Sequence, residues 1–260
     1  MVLQPLVWNV MAAVLILVGA LVGGTVLLVL WILAVLTETV APQVAARTPL
    51  RRLDGGPAFH LAPGHFVERH GSMLIIVLGE SVRAIGVGAS SGVSAIGVAQ
   101  IGFAAVSLAL AASLHWAYFG SHQDEAQEAL TAAPPERQQS VAPWPFGDAL
   151  AVVLLGVVFA ASGLHHALEK PAARLETTSA AQLAGGVAAF WVGLAGFRVA
   201  VGRRDVGLRL VGGLALVAAT VIGAQVSGFV ELVALLAGSV AILLIERARH
   251  TSPAASRPAR

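Results

Sequence analysis

Residues 65–86 read HFVERHGSMLIIVLGESVRAIG. Two histidines and the Glu68–Arg69 pair run straight into an apolar stretch, which then carries Glu80 and Arg83. The apolar register holds across residues 71–90, about the 20 residues that a helix needs to cross a bilayer. Glu80 stands nine residues past Gly71, about 13 Å of helical rise. Half of a hydrocarbon core of ~30 Å is about the same distance, so Glu80 falls near the midplane. A charge at that depth costs from about 2.5 kcal/mol upward and must face protein, water or a partner.

Helical spacing supplies a polar face. Arg69, Ser72, Ile76, Gly79, Glu80, Arg83, Gly86 and Ser90 follow one side, and Leu74, Leu78 and Ile85 another. Glu80 and Arg83 are one turn apart and placed to pair. The expectation is that the polar stripe points into a bundle and that the leucines meet lipid or packing partners.

The rest of the chain supports a membrane reading. Of 260 residues, 57% are hydrophobic and 12% charged, against about 25% charged in ordinary soluble domains. Eight windows have the length and apolarity of spans: 3–20, 23–41, 71–90, 95–119, 146–168, 180–201, 207–225 and 227–246. The predicted fold is all-α, a polytopic transmembrane helical bundle of about eight spans over residues 1–246, with a basic, disordered tail at 247–260. The first two windows are separated by Gly23-Gly24 and form either a tight hairpin or one broken helix. The N-terminus lacks the basic segment of a secretory signal and reads as a retained first span. Two long loops are expected, at 42–70 and 120–145. No cysteine is present, which excludes disulfides and thiolate metal sites.

Lys and Arg counting sets the orientation. With both termini cytoplasmic, that side receives Arg47, Arg51, Arg52, Arg69, Arg137, Arg198, Arg203, Arg204, Arg209 and the arginines of the tail, and the other only Lys170 and Arg174. The basic residues form no block of the kind that binds nucleic acid. The lipid bilayer is the expected partner.

Other polar groups gather at the span boundaries. His65, Glu68 and His70 stand at the cytoplasmic entrance of the third span, Glu38 ends the second, His115 lies near the end of the fourth and Asp148 near the start of the fifth. Together they read as a vestibule leading toward Glu80. His165, His166 and Glu169 mark the opposite boundary, where Glu231 begins the last span. The candidate binding or ion-pathway set is therefore Glu80, Arg83, Glu68, Arg69, His65, His115 and Asp148. His65 and Glu68 lack the H-E-x-x-H spacing of a zinc helix. Neither a Walker loop nor a G-x-S-x-G elbow occurs, and no cofactor is expected.

The stretch 65–86 closely resembles the signature of the bacterial low-temperature-requirement A family: His-x-x-Glu-Arg-x-Gly followed by an apolar run into Leu-Gly-Glu-Ser. The matching positions are His65, Glu68, Arg69, Gly71, Leu78, Gly79, Glu80 and Ser81. Weaker likeness extends through LHWAYF at 114–119 and FGDALAVVLLGVVFAASGLHHAL at 146–168. Arg83 departs from the family pattern, which has an uncharged residue there, and Asp148 stands where a histidine is common. Family members also carry an N-terminal Glu-Leu-Phe-Phe-Asp-Leu element that this chain lacks, so the chain reads as the C-terminal two-thirds of a member. The resemblance implies a multi-pass protein of the bacterial cell membrane linked to growth in the cold. A second copy or a separate N-terminal part is the implied protein partner. Three functions stay open: transport or proton and ion handling through Glu80; a non-catalytic, stress-adaptive membrane protein; and a membrane enzyme using His65, Glu68, His115 and Asp148 as its acid–base set.

Overall fold

The structure, a computed structural model, describes residues 3–47, 62–90, 97–120, 122–132 and 144–251. These residues are helical, with short connections and, among the described residues, no strand. The chain divides into two compact units, residues 1–59 and 60–260.

The first unit is a helical hairpin of α1 (Leu3–Val22) and α2 (Gly24–Arg47). Gly23 and Gly24 both take positive φ, 72° and 57°, a region that costs other residues about 1–2 kcal/mol each. The hairpin alternative is thus the one observed. Gly19 lets the Trp31 ring close in: a Cβ there would stand 3.1 Å from it. The Trp31 indole donates to the Ile16 carbonyl at 3.3 Å. Leu17, Leu21, Val22, Leu28 and Ile32 remain exposed, an apolar exterior of the kind that acyl chains cover. A Gly23→Ala substitution is expected to lower the unfolding free energy by about 1–2 kcal/mol, read as a shift in the denaturant midpoint in detergent.

The second unit holds α3 (Pro63–Ser90), α4 (Val98–Phe119), α5 (His122–Ala132), a π-helical turn (Trp144–Ala149) running into α6 (Leu150–Glu169), α7 (Thr177–Ala200), α8 (Gly207–Leu216), α9 (Ala219–Gln225) and α10 (Gly228–Thr251). Pro63 occupies the first position of α3, where its missing N–H is not needed. The core joins Leu74 and Leu78 of α3, Phe103 and Leu110 of α4, Val153 and Val157 of α6, Phe190 and Trp191 of α7 and Leu232 and Leu235 of α10.

Glycine sets the closest contact. Gly156 and Gly163 of α6 meet Gly186 and Leu183 of α7 so tightly that added Cβ atoms would stand 2.6 Å from Phe190 N and Leu183 Cβ respectively. A Cβ on Gly186 would collide with the backbone of Ala160 and Gly156. Small residues on both faces let two backbones approach where no hydrophobic gradient drives them together.

Among the described residues, five helices are long and apolar enough to cross a bilayer: Val98–Phe119, Gly147–Glu169, Thr177–Ala200, Gly207–Gln225 and Gly228–Arg249. The expected count of about eight is not reached among the described residues. The apolar parts of α1 and α2, Val7–Val22 and Gly24–Glu38, are shorter, and α3 carries the charged stretch. Other boundaries also move. The last helix runs to Thr251, past the expected limit of 246, and residues 252–260 lie outside the described residues. The expected 120–145 loop contains α5, and the expected 42–70 loop gives up its ends to α2 and α3. The span 207–225 is interrupted: Val217, Ala218, Thr220 and Val221 bond three residues back rather than four. Neither proline nor glycine stands at 217–218.

Candidate functional site

Helix α3 presents its apolar stripe, not its polar one, to the rest of the second unit. Val67, Gly71, Leu74 and Leu78 are buried, following the i, i+4, i+7, i+11 rhythm of one helical face. Arg69, Ser72, Ile76, Gly79 and Arg83 are exposed, and Ile76 is 70% exposed. The expected orientation is reversed because Leu74 and Leu78 join the core with α4 and α6, a contact that hydroxyl, glycine and guanidinium groups cannot replace. Glu80 sits on α3 two residues past Leu78, and its side chain lies outside the described residues.

The start of α3 is drawn toward α5 and the ends of α6 and α7. Val67, Leu130, Ala149 and Phe197 form a small apolar cluster. This places the helix ends that carry His65, Glu68 and Asp148 in one neighbourhood. His65, Glu68, Arg69 and His115 are exposed and Asp148 is half-buried. His115 stacks on Phe119 with ring centroids 4.4 Å apart, while His70 donates through Nδ1 to the Phe66 carbonyl at 2.7 Å. Among the described residues, no three His, Asp or Glu side chains converge as a metal-ligand group. The crevice lined by Leu78, Ser107, Leu110, Leu114, Val157 and Leu164 holds about 20 Å³, room for a single water. Its one hydroxyl, Ser107, donates to the Phe103 carbonyl at 2.8 Å.

A buried polar constellation joins α7, α8 and α10, built on arginines that the sequence reading used only to set the orientation. Helix α7 ends on Gly202 (φ 86°). There Gly202 N–H donates to the Val199 carbonyl and Arg203 N–H to the Arg198 carbonyl, the double bond of a Schellman cap. The cap turns the chain back, so that Arg198 donates to Asp205 at 2.8 Å. Arg198 also lies 3.7 Å from Glu246. Arg209 grips Glu246 with two bonds, Nε–H to Oε1 at 2.5 Å and Nη2–H to Oε2 at 2.7 Å. Arg209 also lies over the Trp191 ring at 5.9 Å, and the Trp191 indole donates to the Ser239 hydroxyl at 3.2 Å. Arg198 and Arg209 are buried. Bidentate guanidinium–carboxylate geometry is the form in which a buried charge pair best offsets its desolvation. The sequence carried one signal. Trp191 and Arg198 are seven residues apart on α7, and Ser239 and Glu246 are seven apart on α10, so two helix faces meet at matched positions.

Glu231, read in the sequence only as the residue that begins the last span, is a second such case. Its side chain is fully buried, and neither carboxylate oxygen has a hydrogen-bond partner among the described residues.

A search of curated proteins and of solved structures found no match. The family model described as bacterial low temperature requirement A protein (LtrA) matches residues 1–245. With the apolar helices above, that match identifies a membrane protein, and the chain belongs to the LtrA family.

Proposed function

We propose that this protein moves protons or small ions across the bilayer along the polar face of α3, with Glu80 as the intramembrane exchange group and Arg83 tuning its charge. The observation that carries the reading is the facing of α3. Its leucines are spent on the core, and its Arg69–Ser72–Gly79–Arg83 side is turned away from that core. In a membrane helix such a face cannot rest on acyl chains without a cost of several kcal/mol, so water or protein covers it. His65, Glu68, Asp148 and His115 lie toward the arginine-rich end of the bundle as the entry to this face. The membrane lies in the bacterial cell envelope on this reading, with both termini on the cytoplasmic side.

Proteoliposomes loaded with a pH-sensitive dye test the function. Wild-type protein is expected to dissipate an imposed proton or cation gradient, and Glu80→Gln to slow that dissipation by at least about tenfold, the loss that follows from 1.4 kcal/mol. Equal rates for wild type and E80Q, or none above empty vesicles for wild type, overturn the proposal.

A further inference from the structure

Glu231 begins the fourth residue of α10, yet it does not serve the helix end. The first amides of α10 are already taken. Gly228 N–H donates to the Ala173 carbonyl at 3.1 Å and Phe229 N–H to the Pro171 carbonyl at 3.0 Å. Val230 N–H donates to the Ser227 hydroxyl at 3.3 Å, the ordinary serine cap, and Glu231 N–H donates to the Ser227 carbonyl at 3.1 Å. Capping, the usual task of an acid in a first turn, is therefore filled without Glu231.

Its carboxylate instead points at α9. A Cβ at Gly223 would collide with it, and the same Cβ would stand 3.0 Å from Ala180 of α7. Glycine at 223 and alanine at 180 thus leave the room that the carboxylate occupies. One turn before Gly223, the Thr220 hydroxyl is also buried without a hydrogen-bond partner among the described residues. Thr220 follows the break in the 207–225 span, where bonding to the third residue back redirects carbonyls. A mid-span departure of this kind often marks a functional position. The segment 170–176 closes the site from outside, held by the Ala173 and Pro171 bonds above and by Leu175 N–H to the Gly223 carbonyl at 3.0 Å.

Among the described residues no cationic side chain hydrogen-bonds to this carboxylate. Helix α9 contains no ionisable residue. On the same side of the bundle stand His165, His166 and Glu169 of α6, Lys170 and Arg174 of the connecting segment, and Glu176 before α7. None of these hydrogen-bonds to the Glu231 carboxylate. The start of α4 meets α10 through Phe103 and Phe229, with ring centroids 6.4 Å apart. The ionisable groups of α4, His115 and Tyr118, are at its other end. Arg198 of α7 and Arg209 of α8 are engaged at Glu246, about 22 Å further along α10. A bare carboxylate in such surroundings is neutralised by whatever cation can reach it.

We propose that Glu231 is a buried exchange site for a monovalent cation, a proton or sodium, held between α7, α9 and α10 beneath the 170–176 segment. The site is on a different helix from Glu80 and is read without measuring flux. Its failure leaves the α3 pathway standing, and failure of that pathway leaves this site standing.

Dicyclohexylcarbodiimide, an apolar reagent for protonated carboxyls, is the probe. The carboxyl proton passes to one carbodiimide nitrogen and the carboxylate oxygen bonds to the central carbon. The acyl group then migrates from oxygen to nitrogen, so the whole reagent is retained and nothing leaves. Full-length protein in liposomes is expected to carry the adduct on the peptide containing Glu231 in sodium-free buffer, as read by mass spectrometry. Excess sodium chloride lowers that adduct several-fold if sodium is the natural occupant, and leaves it unchanged if the proton alone is. Glu231→Gln, which keeps the shape of the neutral acid, removes the adduct and leaves the unfolding midpoint near wild type. No adduct at Glu231 overturns the proposal. So does equal labelling by a water-soluble carbodiimide, and so does an E231Q chain that unfolds at markedly lower denaturant, because the carboxylate would then hold an internal ion-pair partner.

Discussion

Arg209→Met is expected to cost the folded bundle about 3–5 kcal/mol, the penalty for removing one member of a buried ion pair. The substitution takes away both bonds to Glu246 and the cation over Trp191. Glu246, with its side chain only 13% exposed, keeps Arg198 at 3.7 Å, too far for a good hydrogen bond. Most of the penalty is therefore the stranded carboxylate. Replacing both partners, R209M with Glu246→Met, is expected to recover much of the loss, since a well-packed apolar pair often equals a buried salt bridge. Unfolding by denaturant in detergent, followed by tryptophan fluorescence, measures both. Trp191 sits on the network and reports its loss directly. A double variant as unstable as R209M would show that the pair itself, rather than the stranded charge, carries the energy.

Gly186→Ala is the second large effect. The new methyl meets the backbone of Ala160 and Gly156, which cannot swing aside as a flexible side chain does. Helices α6 and α7 must separate along the contact that anchors the core. Overpacking against mobile side chains costs about 1–3 kcal/mol; against backbone, the expected loss is at the top of that range, with poor recovery of folded protein. Gly185→Ala is the matched control. Nothing stands within 4 Å of a Cβ there, and the helix gains up to about 1 kcal/mol of propensity. Comparable destabilisation of both variants would remove the close-contact explanation.

Much of the fold was legible. The windows at 95–119, 146–168, 180–201, 207–225 and 227–246 correspond to helices of crossing length, because an apolar run of about 20 residues has few other stable states. The signature at 65–86 led to the family. What failed was the facing of α3. Its polar and apolar stripes share one period, and period alone says that two faces differ, not which one meets the bundle. The core contact of Leu74 and Leu78 decided it. Charge counting hid the Arg198–Asp205 and Arg209–Glu246 pairs for a related reason. An arginine near a helix end reads as a topology signal, and only the meeting of α7, α8 and α10 turns it into a buried partner. The break at 217–218 had no local cue.

The chain contains no cysteine, so single cysteines along α3 report their surroundings without background. The decisive measurement is the rate at which a membrane-impermeant, water-soluble thiol reagent labels cysteines at 72, 74, 76, 78, 79 and 83 in reconstituted protein. Reaction is expected at 72, 76, 79 and 83 and protection at 74 and 78, the signature of an aqueous lane on the side of α3 opposite Leu74 and Leu78. Protection at 72, 76, 79 and 83 alike, with those positions labelled only by a lipid-soluble reagent, would put this face against acyl chains and contradict it.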